Sequence, residues 1–436
     1  MKLSRRAAAI ATAGASAVAL TLAGCSAGGG TPSGEDTTTP ITLTVATFNN
    51  FGYTQALADE YHQLHPNITV KWVVAKTSDD AQANLDTKLA AGSGLSDIEA
   101  VDGDWMPKYK QYPDKFVDLA AADNADRYAD WKMAGGTVNG KVIGLGTDIG
   151  PEAICYHADL FKAAGLPTDP ADVAKLLTGD WNHYFQVGQQ FQQGIQAAGV
   201  DAAWFDSAGA TFQGMANQYA NFFEKDDGTI VATDNPDVKA VFTQVLQASA
   251  TESAHLKEWT DDWTAGLTTS KWATMLCPAW MVDGVIKAAD KSGAVKDWNI
   301  ANVFPNGGGN WGGSYLLVPA QGAHTAEAAA LADWLTAPEQ QLKAFAEAST
   351  FPSQTAAYTD SSLTGAKDEY FNNAPIGQIM IDRAKGYSST GVTAFKGVNY
   401  GAIMTAVQNG LLRVEQGQQS IDDSWAQVVT DIKALG

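Results

Sequence analysis

Positive charge is what this 436-residue chain has least of: 28 Lys and Arg stand against 48 Asp and Glu, a formal net charge of −20. A surface this acidic repels phosphate backbones and anionic headgroups, so nucleic-acid binding and adhesion to acidic lipid are both excluded as defaults. Histidine is also scarce, six in all, and cysteine scarcer, with three. His62 and His65 sit three apart on a predicted helix, but no third ligand is evident, so a solvated face is expected there and no metal. The run Gly307-Gly308-Gly309 lacks the Lys-Ser/Thr that a phosphate loop requires. No cofactor is expected. After residue 24 no apolar run is long enough to cross a bilayer. There is no tandem repeat, and the one low-complexity stretch is 26–40.

What the chain does have begins at its first residues. Lys2, Arg5 and Arg6 precede an apolar run of small residues, 7–22, which is too short for a membrane span and reads as a signal peptide, 1–24. The run ends in Leu22-Ala23-Gly24-Cys25, the small-residue pattern that a lipoprotein signal peptidase cuts before an acylated Cys25. Acyl chains then hold the chain at the extracellular face of the cell membrane, each buried methylene supplying about 0.8 kcal/mol. The alternative is an ordinary secretory signal in which Cys25 is incidental. Residues 25–40, mostly Ser, Gly, Thr and Pro, cannot bury enough surface to offset ordering entropy and read as a flexible tether. Removing 1–24 leaves 412 residues with a net charge of −23, long enough for two cores.

Two further cysteines, Cys155 and Cys277, lie in strand-like runs. In an exported chain they are either one disulfide or two buried thiols, and the sequence leaves both open. Thirteen Trp exceed ordinary usage. A surplus of indoles serves cores, and it also serves sites that grip sugar rings.

Period and punctuation alternate strand with helix. Residues 41–48, 68–74 and 97–101 read as strands separated by helices at 53–65 and 81–91, an order that implies a parallel sheet. A second unit opens with a strand at 153–156 and a helix at 159–164. Helices dominate 181–250, strands are expected at 272–277, 300–304 and 314–319, and the tail from 325 is mainly helical. Ligands of such sheets bind beyond the carboxyl ends of the strands.

Several ordered stretches resemble the extracellular solute-binding proteins of carbohydrate ABC importers. One is Gly144-Leu145-Gly146-Thr147-Asp148-Ile149-Gly150-Pro151-Glu152, running into Asp159-Leu160-Phe161-Lys162-Ala163-Ala164-Gly165-Leu166-Pro167. Others are Ala273-Thr274-Met275-Leu276-Cys277-Pro278-Ala279-Trp280, Asn310-Trp311-Gly312-Gly313-Ser314, Leu335-Thr336-Ala337-Pro338-Glu339-Gln340-Gln341 and Phe351-Pro352-Ser353. Within the family the pattern is most similar to cellobiose/cellotriose-binding lipoproteins of actinobacteria. Proteins for other β-linked or xylan-derived oligosaccharides share much of it. The resemblance implies an α/β, two-lobed periplasmic-binding-protein-like fold with three interlobe crossings, near 148–150, 278–279 and 319–322. Lobe one is then 41–148 plus 279–322, and lobe two 149–278 plus 323–436. The implied partners are an oligosaccharide and the permease subunits of an ABC importer, with the membrane touched through the lipid alone and the chain a monomer.

A sugar presents apolar C–H faces to aromatic rings and hydroxyls to fixed donors and acceptors. Candidates from lobe one are Asn50, Phe51, Asp104 and Trp105, in the loops after the first and third strands. Asp104 stands where many relatives carry an Asp that accepts a hydroxyl. Asp148 sits at the hinge, and Trp280 and Trp311 enter from the return strands beside small residues. Lobe two offers Trp204, Asp206 and Tyr400, the last near a position that is often a stacking aromatic in the family. The bland readings compete: an Asp near Gly is often a turn cap, and a Trp is most often core. A secreted glycoside hydrolase would need two carboxylates about 5–9.5 Å apart across one bond, and no signature for such a pair appears, so no enzyme is expected. A structural or adhesive surface lipoprotein has no need of a hinge.

Overall fold

The structure, a computed structural model, describes residues 39–120, 127–295, 297–391 and 396–435. The signal peptide, Cys25 and the tether up to residue 38 lie outside the described residues.

The chain builds two main sheets. In the first, Ile68–Ala75, Ile41–Phe48 and Ile98–Asp102 run parallel, and Ser314–Leu317 and Leu145–Gly146 close the far edge antiparallel. Alternation puts Leu43 and Val45 fully inside, where they meet Ile98, Leu316 and the helix Thr325–Leu335 through Leu331 and Leu335. The helices between the strands start and stop where the local chemistry says they must. Thr54 and Thr77 cap Gln55–Leu64 and Ser78–Ala91 with their hydroxyls, and Gly92 ends the second at φ 68°.

The second sheet orders Trp298–Ala301, Glu152–His157, Trp272–Pro278 and Ala203–Phe205. Glu152–His157 is antiparallel to both its neighbours, and Ala203–Phe205 is parallel to Trp272–Pro278. Both faces are covered, and the strand residues are buried on either side. On one face Ile154 and Tyr156 meet Phe161, Phe191, Phe212 and Phe242. On the other Ala153, Cys155, Met275 and Cys277 meet Trp263, Trp272, Trp298 and Met380. Cys155 and Cys277 share that second face and are joined as a disulfide, with Cα atoms 5.5 Å apart.

The expected lobe boundaries need correction at two places. Trp298–Ala301 pairs with Glu152–His157 in register Ala301↔Ile154, so 279–301 does not leave the second unit at residue 279. The passage back to the first sheet lies within 302–313. The helix Thr325–Leu335 packs in the first core, and Phe116 bridges Pro319, so the chain has not left the first unit at 319–322. It crosses later, between Thr336 and Phe345, the latter belonging to the second core. Both corrections have one cause: strand period shows that an element exists, while its partner is set by long-range packing. Between Leu145–Gly146 of the first sheet and Glu152–His157 of the second, Asp148–Ile149 pairs with Phe351–Pro352.

The bond closes 122 residues of sequence, for which the chain-entropy account gives about 4–5 kcal/mol of stabilisation. Alkylation of the unfolded, unreduced chain should add no label at Cys155 or Cys277. Cys155→Ser with Cys277→Ser should lower the denaturant midpoint of the otherwise native protein. Two adducts, or an unchanged midpoint, contradict this.

Candidate functional site

The strips joining the two sheets, 147–151 and 310–314, lie directly against each other. Trp311 N–H donates to the Gly150 carbonyl (2.8 Å), and the Asn310 side chain accepts from Gly150 N–H (3.0 Å). Asp148 is buried, and its Oδ1 accepts from Ser314 N–H (2.9 Å) and the Thr147 hydroxyl (2.7 Å). These partners make Asp148 a brace of the junction, whichever ligand approaches. The glycines next to Trp311 serve the same junction. Gly313 has φ +98°, and a Cβ there would lie 2.7 Å from the Asp148 carbonyl; a Cβ on Gly150 would lie 1.8 Å from the Trp311 carbonyl. Room for an approaching ligand is therefore not what these glycines provide.

Beside the junction stands a group of indoles. Trp280 donates its Nε1–H to the Trp311 carbonyl (2.9 Å) and meets the Trp311 ring edge-on, centroids 5.5 Å apart at 84°. Trp311 is only 8% exposed, whereas Trp280 is half-buried. A third indole, Trp259, lies nearly parallel to Trp280 (6.2 Å, 26°) and is 58% exposed. Its φ of +68° is rare for a bulky side chain, and such backbone strain concentrates at functional sites. Of the three indoles, Trp259 and Trp280 are thus the ones that keep exposed surface. Trp259 escaped the sequence reading because it directly precedes a helix start, Thr260 capping Asp261–Gly266, and looks like packing for that helix.

Charged groups from both units also meet. Asp104, in the loop after Ile98–Asp102, accepts an ion pair from the Lys396 ammonium, which stands 4.7 Å above the Tyr400 ring. Lys396 leads into the helix Tyr400–Glu415, whose Tyr400 and Ile403 belong to the second unit's core, so this pair spans the two units. Burial pulls the Lys396 ammonium down, but Asp104, Tyr400 and Asp102 outweigh it and hold it above its ordinary range. Burial and then the charge of Asp104 push Asp102 up to about 7. Lys132, buried, donates to the Ser314 carbonyl (3.0 Å) over the Tyr315 ring, and burial lowers it to about 8 against the pull of Asp148 and Asp102.

The remaining candidates separate clearly. Trp204 is 0% exposed between Phe161, Tyr184 and Phe191, so it is core and the expectation of a ligand contact is corrected. Asp206 is buried and accepts from Trp263 Nε1–H (2.8 Å); burial raises it to about 6 against that bond. Tyr400 is buried with its hydroxyl on Asn217 and one face under Lys396, so it is no open stacking platform. Asn50 is exposed and accepts from Gly52 N–H (3.0 Å) in a turn. Phe51 and Trp105 are half-buried and pack on Phe48 at 5.0 Å each. Cys25 lies outside the described residues. His62 contacts the Ile68 carbonyl and His65 packs on Tyr61, which engages both rings in packing. Two acids that sequence reasoning passed over, Glu152 and Glu258, are also buried.

Residues 56–372 match the family described as bacterial extracellular solute-binding protein. The chain belongs to that family. A solved structure of an extracellular solute-binding protein of family 1 is 44% identical, with a TM-score of 0.82, over 91% of this chain and 99% of that one. The lactose-binding protein of Rhizobium radiobacter is 25% identical over 275 residues, 60% of this chain and 63% of that protein. The arabinooligosaccharide-binding protein of Bacillus subtilis (strain 168) is 26% identical over 233 residues, 51% of this chain and 50% of that protein. The alignments thus span between half and just under two thirds of these two relatives. Among the described residues of this solute-binding protein, no helix is long and apolar enough to cross a membrane.

Its buried acids give a pH dependence of stability. Burial raises Glu152 and Glu252 to about 8 and Glu99 and Asp102 to about 7. Their unfolded values are about 4, so between about pH 4.5 and 8 the folded state holds protons that the unfolded chain releases, and stability falls as pH rises. Asp290, held at about 2, and the lowered Glu415 act oppositely, but only on further acidification. The urea midpoint is therefore expected to be higher at about pH 5.5 than at about pH 8.5; the reverse order contradicts the placement of these acids.

Proposed function

We propose that this chain captures an oligosaccharide between its two lobes and delivers it to the permease of an ATP-driven importer, without cleaving it. The observation that carries the reading is the pair of near-parallel, partly exposed indoles, Trp259 and Trp280, at the junction of the two sheets in a solute-binding protein. Ring faces take the apolar C–H surfaces of a sugar, and carboxylates accept its hydroxyls. Ligand bridging the lobes shifts the population from open to closed, and the closed shape is what a permease distinguishes. Lipidation at Cys25 would hold the chain at the outer face of the membrane, and no second copy is needed for the site.

The preferred ligand is a β-1,4-linked glucose oligomer such as cellobiose or cellotriose. All its hydroxyls are equatorial, so its rings are flat slabs that suit flat indoles. The sequence resemblance to cellobiose/cellotriose-binding lipoproteins supports this choice, and the lactose-binding relative is consistent with a β-linked disaccharide. The second reading is another β-linked or xylan-derived oligosaccharide.

Calorimetry on the mature chain with cellobiose, cellotriose, xylobiose and maltose tests the ligand, with reducing ends counted after a day's incubation. Trp280→Ala should weaken the best sugar by about ten- to a hundredfold, the loss of roughly 1.5–3 kcal/mol of aromatic burial, with the melting temperature nearly unchanged. Trp311→Ala removes a buried ring and should instead destabilise the fold by about 3–5 kcal/mol. Maltose or xylobiose outcompeting cellobiose overturns the ligand, and steady release of reducing ends overturns the transport role. Separately, Cys25→Ala should leave an unlipidated precursor; a variant that matures and stays on the membrane contradicts the anchor.

A further inference from the structure

Glu152 is the first residue of its strand, immediately after the passage between the sheets, and is 0% exposed. Neither of its carboxyl oxygens has a hydrogen-bond partner. Its backbone is held, with Glu152 N–H donating to the Gly309 carbonyl (3.1 Å), and Pro151 bridges Asn310, which keeps the segment extended. Two residues along an extended segment return to the same side. Along the strand Glu152 shares its side with Ile154 and Tyr156, and its carboxyl lies beside Gly309 and Phe304. Gly309 leaves the carboxyl its room, since a Cβ there would lie 2.4 Å from Oε2. Glu258 is also buried with one oxygen unpartnered, and is joined in sequence to Trp259.

A buried acid with no partner gives up its hydration and gains nothing within the free protein. Among the described residues Glu152 caps no helix and forms no ion pair, and its carboxyl is not needed to tie the strand, which its backbone already does. A ligand hydroxyl would supply the missing partner. We propose that Glu152, together with Glu258 beside Trp259, forms the second lobe's polar half of the ligand site, with the Glu152 carboxyl exchanging hydrogen bonds with a hydroxyl of the sugar stacked on the indoles. The inference rests on the sugar reading of the site.

The charged groups facing these acids set how Glu152 does this. Lys396, in the strip before Tyr400–Glu415, acts electrostatically on Glu152, and Glu258, in the loop ahead of Asp261–Gly266, interacts with both Glu152 and Asp206. Burial outweighs the pull of Lys396 and lifts Glu152 to about 8, and Glu258 is raised by burial and by Asp206 and Glu152. At neutral pH Glu152 is thus a neutral acid, with one O–H to donate and one carbonyl to accept, the same pair of offers that a glutamine amide makes.

The experiment titrates cellobiose, cellotriose, lactose and xylobiose into the mature parent, Glu152→Gln and Glu152→Ala, and records melting of each free protein. Glu152→Gln should hold the parent's best sugar within about threefold, whereas Glu152→Ala should lose about tenfold or more, with neither free variant melting below the parent. If both variants bind like the parent, Glu152 is outside the site and the inference fails while the sugar reading stands. If Glu152→Gln is as weak as Glu152→Ala, exchange through a neutral acid is wrong. If the parent binds none of the four sugars, the sugar reading falls first and the inference with it. Should Glu152→Ala melt well below the parent, pH decides. Binding that changes between about pH 6 and pH 9 in the parent but not in Glu152→Gln supports the inference, and equal profiles overturn it.

Discussion

Two strips of backbone, 147–151 and 310–314, have to lie closer than side chains permit, and the architecture around them follows from that contact. Asp148 braces it from one side by accepting Ser314 N–H and the Thr147 hydroxyl, and Asn310 and Trp311 brace it from the other through Gly150. A methyl on Gly150 would collide with a carbonyl, which is backbone and cannot move aside as a side-chain end can. The same contact aims the Trp311 carbonyl at the Trp280 indole, so the orientation of one ring is fixed by the closeness of two loops. It also delivers the chain into Glu152–His157 with an acid as the first residue inside.

Local chemistry is largely legible in the sequence. The alternation of Leu43 and Val45 with polar neighbours marks the true limits of the first strand, and Gly92 closes a helix where a left-handed residue is needed. Partner choice is less legible. Trp298–Ala301 has strand composition whichever sheet it joins, and Thr325–Leu335 has an apolar stripe that suits either core. These decisions depend on packing between residues far apart in sequence, which no short window of residues contains.

At the site the residue types are readable and their exposure is not. Trp204 and Trp280 look alike in sequence, each beside small residues; one is sealed among three aromatic rings and the other keeps a half-open face. Asp104 reads as a free acceptor because its counter-ion, Lys396, lies 292 residues away. Trp259 draws no notice in the sequence, since nothing in its neighbours' composition signals a positive φ. The acids are hardest to see. A Glu opening an apolar strand is ordinary composition, and only the lack of any partner for its oxygens marks Glu152 as unusual.

The disulfide has a mechanical consequence as well. It fastens Glu152–His157, the strand that leaves the junction, to Trp272–Pro278, the strand that leads to Trp280. Adjacent strands in a sheet can shear and twist against one another, and a covalent cross-link on one face stiffens that mode. The second sheet then responds to a load as a plate, with its compliance pushed out to the linking strips at its margin. On the proposed function, an indole at the rim of such a plate would move with the whole plate, like the tip of a lever, so that a few degrees of rotation at the strips would displace the ring.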